Sequence, residues 1–205
     1  TNDGLLHAFR SNIKNDTDPS ELWAFIPPAV LPHIAKQYGG AHALLLDAAP
    51  VVKDVAFGPS GGSTAWGRTR ADARGGTANW RTIAVGGLTT GRGYYAIDIT
   101  DHTKPQLLWQ LTKFKDSAGE ADLFGTYPGV PAIGTVYYKD PTASQEIETP
   151  VAFLPGGEGT LFKTGSCARW KAPTSTGDVL TTARSNVRCW TGAGNSFTVV
   201  RLFDG

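Results

Sequence analysis

The residues able to do chemistry are spread along this 205-residue chain and do not gather into one motif. Asn12, Asn15, Asp16, Asp18 and Glu21 crowd one short stretch, and calcium takes several oxygen ligands from such loops. Their spacing is not that of an Asp-x-Asn-x-Asp-Gly loop, so the stretch reads as a solvated turn. His33 and His42 flank the end of a short helical pattern with no third ligand beside them. Gly58-Pro59-Ser60-Gly61-Gly62 fits the Gly-x-Ser-x-Gly nucleophile elbow, but that motif needs a helix directly after the serine, and no helical period follows. Between Gly86 and Gly93 the glycines are those of a phosphate loop, yet Arg92-Gly93 stands where Lys-Ser/Thr is required and a strand pattern follows. No nucleophile has a base in a supporting motif, so no catalytic residue and no metal ligand is assigned.

Cys167 and Cys189 sit in a Gly/Ser/Thr-rich stretch with no His at metal-ligand spacing. Two readings compete: unrelated free thiols, or a disulfide that closes a long loop, worth roughly 3 kcal/mol by loop-closure entropy. A staple is most useful in a long loop, which favours the disulfide and an oxidising, extracytoplasmic setting.

Composition limits the class of protein. Charged residues make up only 18%, against 25 glycines and six tryptophans, the balance of an all-β chain rich in turns. A net charge of +1 offers no basic stripe for nucleic acid. The apolar runs are too short to cross a bilayer as helices. With no initiator Met and no signal-peptide pattern at Thr1, the chain is expected to be an interior piece of a longer mature protein.

The elements that must position these residues are hairpins. Gly93-Tyr94-Tyr95-Ala96-Ile97-Asp98-Ile99 is a β-branched and aromatic run that passes through a polar turn and returns as Leu107-Leu108-Trp109-Gln110-Leu111. The same pattern opens the chain, from Leu5–Phe9 to Glu21–Phe25 around Trp23, and its first half recurs at Phe197–Phe203. Pro50–Phe57 and Trp80–Val85, the latter ending at Gly86-Gly87, read as strands. Val130–Tyr138 and Thr149–Leu154 parallel them. Pro27–Tyr38 has helical spacing with prolines in its first turns and Gly39-Gly40 as a stop. Residues 58–78 read as an irregular, mobile Gly/Ser/Arg-rich loop.

Aligned, these runs give a partial, modified β-propeller of four-stranded antiparallel blades with one short inserted helix. Residues 1–49 would hold the end of one blade and the helical insert. Residues 50–112 would form the second blade, and 113–205 the third with its Cys-bearing loop. A β-sandwich fits the same strand spacing. Asp3, Gly4, His7, Trp23, Asp47, Asp54, Gly86, Gly87, Tyr94, Asp98 and Trp109 are read as structural residues of the blade motif.

Several short motifs then fall in a familiar order. Asn2–Phe9, Glu21–Pro27, His42–Asp47, Ala49–Val55, Trp80–Thr82, Gly86-Gly87 and Gly93–Thr100 together resemble the C-terminal propeller domain of the PilC/PilY family, the tip-associated adhesins of bacterial type IV pili. The resemblance covers most of residues 1–138 and weakens beyond. One departure is Asp47-Ala48, where Asp-Gly is the family pattern. It implies a non-enzymatic, extracellular factor exported through the periplasm to the pilus tip, supporting pilus assembly, twitching motility and attachment. The implied partners are the remaining blades of the parent polypeptide, minor pilins, and a host or abiotic surface. Nucleic acid and a membrane span are not among them. Members bind calcium through an Asp-rich loop that is absent here, so any calcium is expected in the parent domain outside residues 1–205, and no cofactor in this segment. Two alternatives remain: a quinone-dependent dehydrogenase, also a propeller, which Ala96-Ile97-Asp98 and Trp109 echo; and a purely structural scaffold. The dehydrogenase would need adjacent cysteines and a carboxylate cluster, and Cys167 and Cys189 stand apart.

Overall fold

In the computed structural model, residues 3–11, 20–37, 44–46, 48–59, 65–89, 93–116, 119–127, 129–139, 145–158, 194 and 196–205 are described. Cys167, Cys189, His42 and Asp47 lie outside these residues, as do Asn12, Asn15, Asp16 and Asp18. The strands are β1 (Leu6–Phe9), β2 (Glu21–Phe25), β3 (Val51–Phe57), β4 (Arg68–Thr69), β5 (Asn79–Leu88) and β6 (Gly93–Asp98), then β7 (Gln106–Leu111), β8 (Lys113–Asp116), β9 (Gly119–Asp122), β10 (Ala132–Tyr138), β11 (Ile147–Pro155) and β12 (Phe197–Arg201). The helices are α1 (Leu31–Gln37), entered through a 3-10 turn at Pro28–Val30, and α2 (Arg70–Arg74).

The fold class expected from the sequence is met: the chain is mostly β, with two four-stranded antiparallel sheets. A central sheet runs in the order β3-β5-β6-β7, and a second sheet in the order β10-β11-β12. The fourth strand of the second sheet is β4, which lies on the flank of β11. The hairpins β1-β2 and β8-β9 stand as two-stranded pairs. Nothing in the sequence had marked β8-β9.

The central sheet is buried on both faces, which explains why β5 and β6 read as continuous apolar runs instead of alternating ones. Val55, Phe57, Ile83, Val85, Tyr94, Ala96 and Trp109 face the second sheet and share a core with its Ile133, Ala152, Leu154 and Leu202. The opposite face carries Ala84, Leu88, Tyr95 and Ile97. Leu6, Trp23 and Phe25 of the first hairpin, Val30 of the 3-10 turn, and Leu45 and Leu46 pack on it. Each fully buried Ile or Leu among them contributes roughly 1.5–3 kcal/mol relative to exposure.

Two expectations need correction. Gly86-Gly87 does not end its strand, because β5 continues to Leu88 with Gly86 opposite Tyr95. A Cβ on Gly86 would stand 2.5 Å from Tyr95 Cζ, so the glycine makes room for that ring inside the sheet. Nor is residues 58–78 an irregular loop throughout. Its described part forms β4 and α2, and Thr69 caps α2: its hydroxyl accepts from Asp72 N–H, while Asp72 accepts from Thr69 N–H. The hydroxyl of Thr69 also donates to Asp72, and these bonds hold the Asp72 carboxyl below its ordinary value. In sequence, the arginines and glycines of this stretch hid a two-residue strand that becomes visible only beside β11.

Candidate functional site

The polar side chains singled out in the sequence collect at the two seams on either side of the central sheet. At the first seam, Asp3-Gly4 makes the turn into β1, with Gly4 at φ 85° in the left-handed region that glycine enters without strain. The turn sets Asp3 beside His7. His7 Nε2 lies 2.8 Å from Asp3 Oδ2, and Nδ1 lies 2.7 Å from Glu21 Oε1 on β2. Carboxylates only accept, so a ring that serves both is an imidazolium donating from each nitrogen. The bond to Glu21, then that to Asp3, raise the His7 pKa from its ordinary 6.5. The ring also stacks on Phe9, with centroids 5.9 Å apart. Glu21, weighed in the sequence as a calcium ligand, is thus occupied in closing the hairpin.

Trp23, opposite Ala8 on the hairpin, sends its indole N–H across the seam to the carbonyl of His102, at 2.8 Å. His102 belongs to the turn between β6 and β7. Asp101 orders that turn by accepting from the hydroxyl and N–H of Thr103, which lowers its own pKa.

Across the central sheet runs a chain of short hydrogen bonds. Thr82 donates through its hydroxyl to Asp54 at 2.6 Å, and its N–H donates to the Thr100 hydroxyl. Thr100 in turn donates from both hydroxyl and N–H to Asp98 Oδ1. Arg81 completes the chain with a 3.0 Å bond to Asp98 Oδ2. Asp98 is buried, and its two oxygens are shared out between a loop and a neighbouring strand. Sequence reasoning found Asp54 and Asp98 but missed Arg81, Thr82 and Thr100. The Ile97-Asp98-Ile99-Thr100 run carried the signal, since an Asp followed two residues later by Thr is a turn-forming pair.

At the second seam, Trp109 stands opposite Ala96 and donates its indole N–H to the Leu202 carbonyl at 3.1 Å. Tyr94 reaches the other end of that seam. Its hydroxyl donates to the Pro155 carbonyl at 2.6 Å and lies 2.9 Å from the Gly129 carbonyl. Burial pushes the Tyr94 phenol up to about 12, and does the same for Tyr95, buried on the opposite face. Phe57 meets Phe203 edge-on at 5.6 Å, and Tyr94 meets Phe124 at 5.0 Å.

A strap from the central sheet adds to this seam. β4 lies between β3 and β5 in sequence but pairs with β11 through Ile147↔Thr69 and Glu148↔Arg68. Arg68 binds Glu148 through two 3.0 Å bonds, with both side chains mostly buried. Arg201 of β12 lies over the Trp66 ring at 4.8 Å and pairs with Asp204. Chemically, these groups are spent on one another. Among the described residues no three His, Cys, Asp or Glu side chains converge as metal ligands. No helix among those residues is long and apolar enough to cross a membrane.

No family model matches the chain. Over 116 residues, 54% of this chain, it is 35% identical to the type IV pilus biogenesis factor PilY1 of Pseudomonas aeruginosa strain PAO1. The strain UCBPP-PA14 protein of the same name is 35% identical over 133 residues, 62% of this chain. The PilY1 homolog of Xylella fastidiosa strain Temecula1 is 31% identical over 116 residues. The matched segment is homologous to these factors. The chain spans only 8–9% of the length of these relatives. Among solved structures, the C-terminal domain of Pseudomonas aeruginosa PilY1 is 29% identical, at a TM-score of 0.42 over 76% of this chain and 23% of that one.

Proposed function

We propose that residues 1–205 are part of a type IV pilus biogenesis factor, in which they act as stacked β-blades without catalysis. The observation that carries this reading is the 35% identity to PilY1 over 116 residues. The seams support it: the titratable side chains described there hold strands and turns together, as a scaffold requires. In this reading the segment is exported, sits at the pilus tip with minor pilins, and supports pilus assembly and attachment to host or abiotic surfaces.

The test is an in-frame deletion of these residues from the parent gene, with piliation scored by electron microscopy and attachment measured separately. Loss of pili supports the assembly role. Normal pili with lost attachment would confine the segment to adhesion, and normal values of both would overturn the proposal. Purified protein given quinone and calcium is expected to show no spectral change and no alcohol turnover.

A further inference from the structure

The first hairpin has two unlike faces. Leu6, Trp23 and Phe25 turn toward the central sheet and pack on its core. His7 alternates with Leu6 along β1, so its ring lies on the outer face, stacked on Phe9. Two carboxylates reach the ring there, Glu21 from β2 at Nδ1 and Asp3 from the entry turn at Nε2. Among the described residues these are the charged groups that act on it. The elements packed against the turn bring Val30 and Leu45, which carry no charge, and the central sheet meets the other face of the hairpin.

Asp3 has a second duty. Its Oδ1 accepts the Leu5 N–H at 3.0 Å and so shapes the turn in which Gly4 takes its left-handed conformation. Gly4 is buried, and a Cβ there would stand 2.7 Å from Leu45 Cδ1 and 3.1 Å from Val30 Cγ1. Both of those side chains are fully buried in the core that Ala84, Tyr95 and Ile97 share on this face of the central sheet. One carboxylate thus joins the His7 ring to a turn that closes one side of that core.

A neutral imidazole has one N–H and one lone pair. It can donate to one carboxylate only, and the other then faces the lone pair and is repelled. Glu21 begins β2 and is held in the ladder opposite Phe9, and its bond is the larger influence on the ring. Asp3 stands on the turn before β1, outside the ladder, so it is the partner that gives way. We propose that His7 is a proton-operated clasp on this turn: the imidazolium draws Asp3 in and seats Gly4 against Leu45 and Val30, and loss of the proton to solvent releases Asp3 while the ladder and the Glu21 bond remain. Because both carboxylates raise the ring's pKa above its ordinary 6.5, the clasp is fully closed below that value and opens as pH rises through the folded-state value. It stands independently of the pilus reading.

The test follows the Leu5 amide of the 205-residue protein by NMR, as its exchange with water relative to a free amide at the same pH, while the His7 ring is titrated in the same samples. Protection of Leu5 is expected to fall with a midpoint at that of His7, while the amides of β6 stay protected. The fall should be about tenfold for each pKa unit by which the His7 midpoint stands above that of Asp3→Asn. Asp3→Asn keeps an acceptor for the Leu5 N–H and adds an amide donor for the neutral ring, so its Leu5 protection should not change over the same range. His7→Gln removes the titrating group and should hold one level throughout. The proposal is overturned by Leu5 protection that is constant through the His7 titration, by a change with a different midpoint, or by the same change in Asp3→Asn or His7→Gln. A parallel loss of protection in β6 would also overturn it, since the whole fold would then be loosening.

Discussion

The indole N–H of Trp109 and the carbonyl of Leu202, 93 positions apart in sequence, meet at 3.1 Å across the seam between the two four-stranded sheets. Trp23 and the carbonyl of His102 make the same bond, at 2.8 Å, across the seam before it. In both cases the tryptophan lies on the strand that ends a hairpin, and the carbonyl lies in the turn after the next sheet's corresponding strand. Each ring buries a large apolar surface and fixes its position with one directional bond, a combination suited to setting the spacing of stacked sheets.

Trp109→Phe should isolate the directional part. It keeps most of the apolar area and leaves the Leu202 carbonyl without its donor, so a loss of about 1–3 kcal/mol is expected. Trp109→Ala adds a cavity in the core shared by both sheets and should cost about 3–5 kcal/mol. Urea unfolding of both variants measures the difference. Equal losses would mean that the hydrogen bond, not packing, dominates the seam.

Tyr94→Phe leaves the Pro155 and Gly129 carbonyls without their shared donor and should cost about 1–3 kcal/mol by the same measure. Alkaline absorbance titration gives an independent check. Tyr94 and Tyr95 should ionise only near pH 12, because burial disfavours the phenolate of each. Ionisation of every tyrosine together at ordinary alkaline pH would mean that neither ring is buried in solution.

Gly86→Ala should destabilise the central sheet by about 1–3 kcal/mol, because the added methyl collides with the Tyr95 ring. Pairing it with Tyr95→Leu should recover part of the loss in a double-mutant cycle. Simple additivity of the two changes would show that the ring does not lie over the glycine.

How much of this was legible in the chain follows the range of each interaction. The β3, β5, β6 and β7 strands were readable because Val, Ile and Tyr in runs between turn residues mark strands locally. Glu21 was read as part of a solvated turn, since its partner, His7, becomes a neighbour only after the hairpin closes. Arg68 had no visible role for the same reason: Glu148 lies 80 positions away. The indole of Trp109 announced a buried aromatic, but nothing in a carbonyl such as that of Leu202 can announce an acceptor.

His7 makes the first hairpin sensitive to pH. Its folded-state pKa is raised above the ordinary 6.5, first by Glu21 and then by Asp3. The stabilisation is therefore complete below about pH 6.5 and is lost as pH rises through the folded-state value. The expected signature is a downfield-held His7 imidazole in NMR titration, with a midpoint above that of an unstructured histidine. Glu21→Gln should bring the midpoint down. An unchanged midpoint in that variant would mean that the Glu21 contact is not made in solution.

The strap from the central sheet gives the last test. Arg68 and Glu148 are 17% and 16% exposed, far less than the outer pair Arg70 and Glu146, which are 65% and 54% exposed at 3.6 Å. Water screens the outer pair, so Arg70→Met should change stability by no more than about 1 kcal/mol. Removing one member of the inner pair leaves a largely desolvated charge without its partner, which costs about 3–5 kcal/mol for a fully buried pair and somewhat less here. Arg68→Met and Glu148→Gln should each loosen β4 from β11 and speed tryptic cleavage of the backbone after Arg70 and Arg74. The double variant Arg68→Met/Glu148→Leu restores a neutral, apolar contact and should regain much of the loss. Cleavage after Arg74 as fast in the unmodified chain as in Arg68→Met would show that β4 does not hold to β11, and the stretch from 65 to 78 would then behave as the loose loop its composition suggests.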